Sequence, residues 1–345
     1  MEEALIRFNK PTIDRKDLES VLQCMITDDL TPGDYMKEFR AQLNRLLGLN
    51  MTIVFNNYLQ ALDTAFRLLC AEQDDEVILA SFSRYRIYHA VLARGLKPVL
   101  VDLEVGSLLP SCKLIEDRIT SRTRCIIVQQ LFGIPNDLTP YREFDIPLLE
   151  DLDGTLCSKS KGQALGSYGS LVTMNLNDDA IITTGNGGIL ASSDRKLKDL
   201  YGTFMADEAS FEYFMSDFNA SLGISQLKKL GKNCERRKKI GKYYDSAVMA
   251  SNCSLIGRDD GQELTYSSYP VLTDTPFEDC VRFFKRYGIP IRRGIDKPLH
   301  HCMGLPAHDF RQTEELFSRI VLLPLYPTLD AEIVENVVKG IKAIL

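Results

Sequence analysis

The chain has 345 residues, 45% of them hydrophobic and 26% charged, an ordinary globular composition and more chain than a single core usually supports. Its formal net charge is −6 and its pI about 5.4, and no basic stripe runs through it, which argues against nucleic acid and anionic membrane as partners. Nine scattered cysteines without a C-x-x-C pair, no charged-then-apolar leader in the opening Met1-Glu-Glu-Ala-Leu-Ile-Arg7, and no apolar run of membrane-spanning length point to a cytoplasmic protein with reduced thiols, no disulfides and no structural zinc.

In chain order, Thr52–Phe55 reads as a strand and Leu59–Cys70 as a helix. Glu76–Leu79 is a strand, Tyr85–Arg94 a helix that stops before Gly95, and Pro98–Val101 a strand again. A helix near Leu114–Thr120 and strands at Cys125–Val128 and Ile146–Leu149 continue the alternation. Short, branched, apolar strands separated by helices are the signature of a buried, mostly parallel sheet in an α/β fold. After Asp217 the pattern changes: Phe218 to about Ala250 has helical periodicity, with Arg236-Arg-Lys-Lys239 as a solvated face. The apolar runs Tyr269–Leu272 and Ile289–Ile291, a helix around Phe277–Tyr287 and a final helix from Ala331 to Leu345 suggest a smaller α+β domain. The division expected is 1–230 for the large domain and 231–345 for the small one, with the N-terminal segment a candidate to pack on the latter.

Several short motifs carry a resemblance that covers nearly the whole chain. They are Leu30-Thr-Pro-Gly-Asp-Tyr-Met-Lys-Glu-Phe39, Asp75-Glu-Val-Ile78 with Ala80-Ser81, Gly95 to Asp102, Leu131-Phe-Gly133, Glu150-Asp151, Asn219-Ala-Ser-Leu-Gly-Ile-Ser-Gln-Leu227 and Leu322-Leu-Pro-Leu-Tyr-Pro327. In this order they resemble the DegT/StrS family of sugar aminotransferases, which depend on pyridoxal phosphate. The resemblance implies a fold type I transferase architecture. It is informative about scaffold and less so about activity, because function resides in the site.

At the site the resemblance breaks. Gly169 to Gly188 aligns without a gap to the family's lysine-bearing strand and loop, and the lysine falls on Ala180. A methyl group forms no Schiff base. Asp151 stands where the family keeps the partner of the pyridinium nitrogen, a role beside which capping a helix is an equal alternative. The family's S-G-T-x-A-L phosphate turn reads Asn57-Tyr-Leu-Gln-Ala-Leu62, so that Tyr58 takes the place of the glycine and would fill space a phosphate needs. The phosphate-contacting serine falls on Asn175, the ring-stacking aromatic on Arg84, and the position after E-D-A-A on Gly154. The segment lent across the family's dimer interface reads Glu212-Tyr-Phe214, and a glutamate repels phosphate. Lys159 and Lys161 are the nearest lysines and read as exposed turn residues.

The resemblance therefore implies a member without classical transaminase chemistry and without covalently bound pyridoxal phosphate, working in amino-sugar or surface-polysaccharide metabolism. If the alignment holds, Asp151, Asp153, Asp178, Asp179 and Glu212 gather at the vacated site, faced by Arg84, Arg86 and His89. Clustered carboxylates serve as acid and base in isomerisation or elimination, whereas Asp178-Asp179 as a plain solvated turn is the alternative. Arg86 and the His300 of His300-His301, in a P-L-H-like segment, are the candidate contacts for a nucleotide sugar. Adjacent histidines on a regular strand point to opposite faces, so no metal is expected there. The family implies a dimer, either of this chain or with an active relative that it would support or regulate.

Overall fold

The computed structural model describes residues 6–28, 30–152 and 154–343. The N-terminal segment forms two helices, α1 (Arg15–Ile26) and α2 (Asp34–Leu47), both packed on a later long helix. Then come β1 (Met51–Phe55), α3 (Tyr58–Leu68), β2 (Glu76–Ala80), α4 (Tyr85–Ala93), β3 (Lys97–Val101), the short α5 (Cys112–Glu116), β4 (Thr123–Gln129) and β5 (Leu148–Asp151). A small hairpin, β6 (Lys159–Ser160) and β7 (Gln163–Ala164), precedes β8 (Leu171–Asn175) and β9 (Gly188–Ser192). After α6 (Lys198–Ala206) runs α7 (Asp217–Val248), one unbroken helix of 32 residues. The remainder is β10 (Gln262–Glu263), β11 (Tyr269–Leu272), α8 (Phe277–Lys285), α9 (Leu299–Met303), α10 (Arg311–Arg319), β12 (Ile320–Leu323) and α11 (Ala331–Ala343).

Seven strands make the main sheet in the order β1-β9-β8-β5-β4-β2-β3. β8, β5, β4, β2 and β3 run parallel, and β9 is antiparallel to both its neighbours. The expected α/β architecture with a mostly parallel sheet is thus present. β1, β8 and β9 are buried at every residue, as strands covered on both faces must be. One face packs against α2 and the first half of α7, through Phe39, Leu43, Ala220 and Ile224; the other packs against α3 and α4, through Ala61, Leu62, Phe66 and Ile87. The second half of α7 supplies Ile240, Tyr244, Ala247 and Val248 to a separate core around β11, β12 and α11.

Several expectations shift. The helix expected at Leu114–Thr120 starts two residues earlier and is shorter, Cys112–Glu116. Of the two apolar runs, Tyr269–Leu272 is β11, whereas Ile289–Ile291 forms no regular element and Arg292 beyond it bridges to Leu322. The end of the last expected helix, residues 344–345, lies outside the described residues. Among the described residues no helix is long and apolar enough to cross a membrane, and all nine cysteines are free thiols.

The topology brings the carboxyl ends of β1, β2, β4, β5 and β8 to one edge of the sheet. In open parallel sheets this edge is where ligands bind.

Candidate functional site

At that edge the strand ends build a closed floor. Asp151 ends β5 and is 2% exposed. Its Oδ1 accepts from the Tyr58 hydroxyl at 2.7 Å and from Thr173 Oγ1 on β8 at 3.2 Å, and its Oδ2 accepts from Gln129 Nε2 at the end of β4 at 2.7 Å. Tyr58 is the first residue of α3, whose N-terminus Asn57 caps by accepting from the Gln60 N–H at 3.0 Å. This start of α3 presses on β9: a Cβ at Gly188 would stand 2.6 Å from the Tyr58 Cα and 2.8 Å from the Asn57 carbonyl oxygen. Only glycine allows that approach. Tyr58 is 4% exposed, and burial together with the Asp151 carboxylate raises its pKa well above the usual tyrosine value. The phenol therefore keeps its proton and donates it to Asp151.

Above this floor opens a groove. Three adjoining cavities of about 470, 570 and 430 Å³ share Asp179 and Arg292 and merge into it. Its polar walls hold the guanidinium groups of Arg84, Arg86, Arg292 and Arg293 and the carboxylates of Asp179 and Asp296. Arg84 caps α4, its backbone N–H donating to Gln129 Oε1 at 2.8 Å and its guanidinium lying 5.6 Å from the Phe132 ring centre. Arg86 lies 5.7 Å from the centre of the Tyr58 ring and 3.6 Å from Asp179 Oδ2. Arg292 covers the Phe8 ring at 4.5 Å, and Arg293 is wedged between Phe277 and Phe317 at 4.1 and 4.8 Å. Stacking on these rings holds the four long side chains in place at a cost in entropy smaller than free arginines would incur.

The structure places the expected residues unevenly. Ala180 lines the groove at the end of the turn after β8, its N–H donating to the Asn177 carbonyl at 3.1 Å. Asn175, Asp179, Asn57, Tyr58, Arg84, Arg86 and His89 line it too, with Asn175 Nδ2 donating to Asp179 Oδ1 at 3.1 Å. Asp178 reaches only one exposed arm. Asp153 lies outside the described residues. Tyr58 differs from the expectation: its side chain reaches past the phosphate position to the carboxylate expected to serve a pyridinium ring. Asp151, sealed under it, faces no solvent and has no access to a ligand as acid or base. Glu212 is exposed, away from the groove of its own chain, its carbonyl accepting from Asn56 Nδ2 at 3.1 Å.

His300 is likewise no groove residue. It is fully buried under β2, with Nδ1 2.7 Å from Ser81 Oγ and its ring stacked on Phe310, and burial with His301 beside it lowers its pKa. The Gly185 end of the Gly-Asn-Gly-Gly turn has positive φ, whereas Gly187 and Gly188 do not and are there for close packing. Lys159 and Lys161 pair with Glu263 and Asp137, and among the described residues no lysine lines the groove. Sequence reasoning missed Gln129, Thr173, Arg292, Arg293 and Asp296. The Arg292-Arg293 pair directly after an apolar run was the available signal.

Residues 11–342 match the sequence profile of the DegT/DnrJ/EryC1/StrS aminotransferase family. A similar curated protein is the GDP-perosamine synthase of Escherichia coli O157:H7, 24% identical over 345 residues that cover 94% of each chain. Among solved structures, the aminotransferase TlmJ from Streptoalloteichus hindustanus superimposes with a TM-score of 0.90 at 24% identity, covering 98% of both chains. The E. coli GDP-4-keto-6-deoxy-D-mannose-3-dehydratase with bound hydrated PLP superimposes with a TM-score of 0.84 at 17% identity, over 97% of this chain and 99% of that one. At such identities the superpositions establish fold alone. By the near-complete profile match, this chain belongs to the DegT/DnrJ/EryC1/StrS aminotransferase family.

Proposed function

We propose that this chain is a family member that has exchanged its pyridoxal phosphate for a side chain of its own, and that it binds a nucleotide-linked sugar in the arginine-lined groove without transaminating it. The observation that carries the reading is the 2.7 Å hydrogen bond from Tyr58 to Asp151. Loss of the lysine at Ala180 is by itself insufficient. The E. coli dehydratase holds PLP in hydrated form, that is, without an imine to lysine. Here, in addition, the Tyr58 hydroxyl takes the carboxylate that would pair with a pyridinium nitrogen. The residues present do not fit the cofactor, and no step is routed through it.

The groove supports binding better than carboxylate catalysis. Of the candidate acids and bases among the described residues, Asp151 is sealed and Glu212 is elsewhere, and Asp179 pairs with Arg86 at 3.6 Å. Four guanidinium groups suit the diphosphate of a nucleotide sugar, and two of the relatives carry GDP-linked sugars in their names. The chain is further proposed to dimerise, as its family does, with a second copy or an active relative. A 38.9 kDa monomer in light scattering at micromolar concentration would sink that part.

The test mixes the protein with pyridoxal phosphate, treats it with borohydride and looks for a lysine adduct by mass spectrometry. In parallel, GDP- and UDP-sugars are titrated calorimetrically. Expected are a colourless protein, no adduct, and saturable nucleotide-sugar binding. Ala180→Lys alone should also stay colourless, because Tyr58 still fills the site. A stable adduct on the wild type would overturn the proposal.

A further inference from the structure

A second cluster of titratable side chains lies outside the groove, where α9 and α10 meet over the end of β2. His300 and His301 belong to α9, a single helical turn, so the argument from strand alternation does not apply to them. Both imidazoles turn toward Glu314 of α10. His300 Nε2 lies 2.9 Å and His301 Nε2 2.5 Å from the same oxygen, Oε1. The ligand atoms of the three residues all fall within 4.8 Å of one another.

Two features of His300 are those of a metal ligand. Its Nε2 is fully buried and makes no hydrogen bond, although Glu314 Oε1 is so near. A 2.9 Å separation without a hydrogen bond implies that the oxygen stands to the side of the ring nitrogen's axis. A hydrogen bond requires the oxygen on that axis, whereas two ligands of one ion sit beside each other's axes. Around a tetrahedral zinc with bonds of about 2.0–2.1 Å, ligand atoms are roughly 3.3 Å apart, so the 2.9 and 2.5 Å contacts to Glu314 must open by side-chain adjustment when an ion enters. The other ring nitrogen is 2.7 Å from Ser81 Oγ, which also accepts the His300 backbone N–H at 3.1 Å. A proton on Nδ1, donated to Ser81, leaves the lone pair on Nε2. This outer hydrogen bond is what fixes the tautomer of metal-bound histidines. Stacking on Phe310, with ring centres 4.4 Å apart and planes 9° apart, fixes the ring itself.

We infer that His300, His301 and Glu314 form a binding site for a zinc-class divalent cation. Two imidazoles and one carboxylate are borderline ligands that suit zinc or cobalt better than calcium or magnesium. The buried histidine anchors the ion from below. His301 and Glu314, each 34% exposed, leave the fourth position to water. None of the three residues lines the groove, so the site stands independently of the proposed ligand. Its effect is structural: it ties α9 and α10 to each other and, through Ser81, to β2.

The test strips the full-length protein with a chelator and titrates it with cobalt(II), then zinc, following visible absorption and calorimetric heat. One equivalent is expected, with tetrahedral cobalt bands and no thiolate-to-cobalt charge-transfer band. His301→Gln and Glu314→Gln, both at half-exposed positions, should each weaken binding by about tenfold or more, at least as much as the loss of an outer-shell partner does. Chelation should lower the melting temperature of the wild type and leave that of both variants unchanged. Absence of one-equivalent binding would reduce the cluster to a plain His301–Glu314 ion pair. A thiolate band, or binding unchanged in either variant, would place the cation elsewhere; each of these results overturns the inference.

Discussion

The floor and the mouth of the groove are built from the same sheet edge and have opposite character. On the floor, Asp151 is surrounded by Tyr58, Gln129 and Thr173, and both of its oxygens are satisfied by protein. At the mouth, four guanidinium groups rest on aromatic rings among exposed carboxylates, Arg86 pairing with Asp179 at 3.6 Å and Arg293 with Glu278 at 3.7 Å, while Asp178 and Asp296 also line the groove. A closed, neutralised network stabilises the fold and offers a ligand nothing. Exposed, solvent-screened ion pairs do little for stability and leave guanidinium groups that an anion can engage. On the proposed reading, the difference teaches that a site changes unevenly: the part where a cofactor would sit is core, and the part that would face a charged substrate is open.

The contrast is broken most severely at Asp151. Asp151→Ala leaves the Tyr58 hydroxyl, the Gln129 amide and the Thr173 hydroxyl buried without their acceptor. At about 1–3 kcal/mol for each unsatisfied group, the loss should reach about 3 kcal/mol or more, read from urea unfolding. A loss under about 1 kcal/mol would mean the floor is not a closed network. Tyr58→Phe is milder. It removes one hydrogen bond to a charged acceptor and should cost about 1.5–3 kcal/mol by the same measurement, with the ring still in place and the protein still colourless with pyridoxal phosphate.

At the mouth the effects should reverse. Arg292→Gln gives up its stacking on Phe8 and should change stability by under about 1 kcal/mol. Its affinity for GDP should fall by about tenfold, or about 1.4 kcal/mol, with the weaker binding showing less dependence on salt. If the variant unfolded readily and bound GDP unchanged, the mouth would be a structural region like the floor.

Much of this fold was legible in sequence because buried parallel strands announce themselves as short branched runs, as at Glu76–Ala80 and Thr123–Gln129. β9 was not, because its Gly188 start and Ala191-Ser192 end dilute the apolar run, and that glycine serves the approach of α3 rather than a turn. Within the site, alignment to a family pattern located Ala180, Tyr58 and Asp151 but said nothing of side-chain direction. That Tyr58 reaches Asp151 follows from the start of α3 lying against β9, a contact between segments 130 positions apart. His300 was misjudged for the same reason. Its motif suggested a ligand-facing residue, whereas Ser81 and Phe310 turn it into the protein.

The smallest effect separates the two regions by pH. Tyr58 has its pKa raised in the folded protein, first by burial and then by Asp151. In the unfolded chain it titrates near 10. Below that value both states hold the proton and the full stabilisation is present. Above it the unfolded chain releases the proton while the folded protein retains it, so stability falls by up to about 1.4 kcal/mol per pH unit from this one group. Other buried tyrosines, such as Tyr244 and Tyr269, add slopes of the same sign, so the informative quantity is a difference between variants. The deficit of Tyr58→Phe relative to wild type, measured by urea unfolding at pH 8, should shrink by about 1 kcal/mol at pH 11, because phenylalanine has no proton to lose. The deficit of Arg292→Gln should not move over the same range, since an arginine stays charged throughout. A Tyr58→Phe deficit that stays constant to pH 11 would mean that the phenol titrates freely and that the floor is open to water.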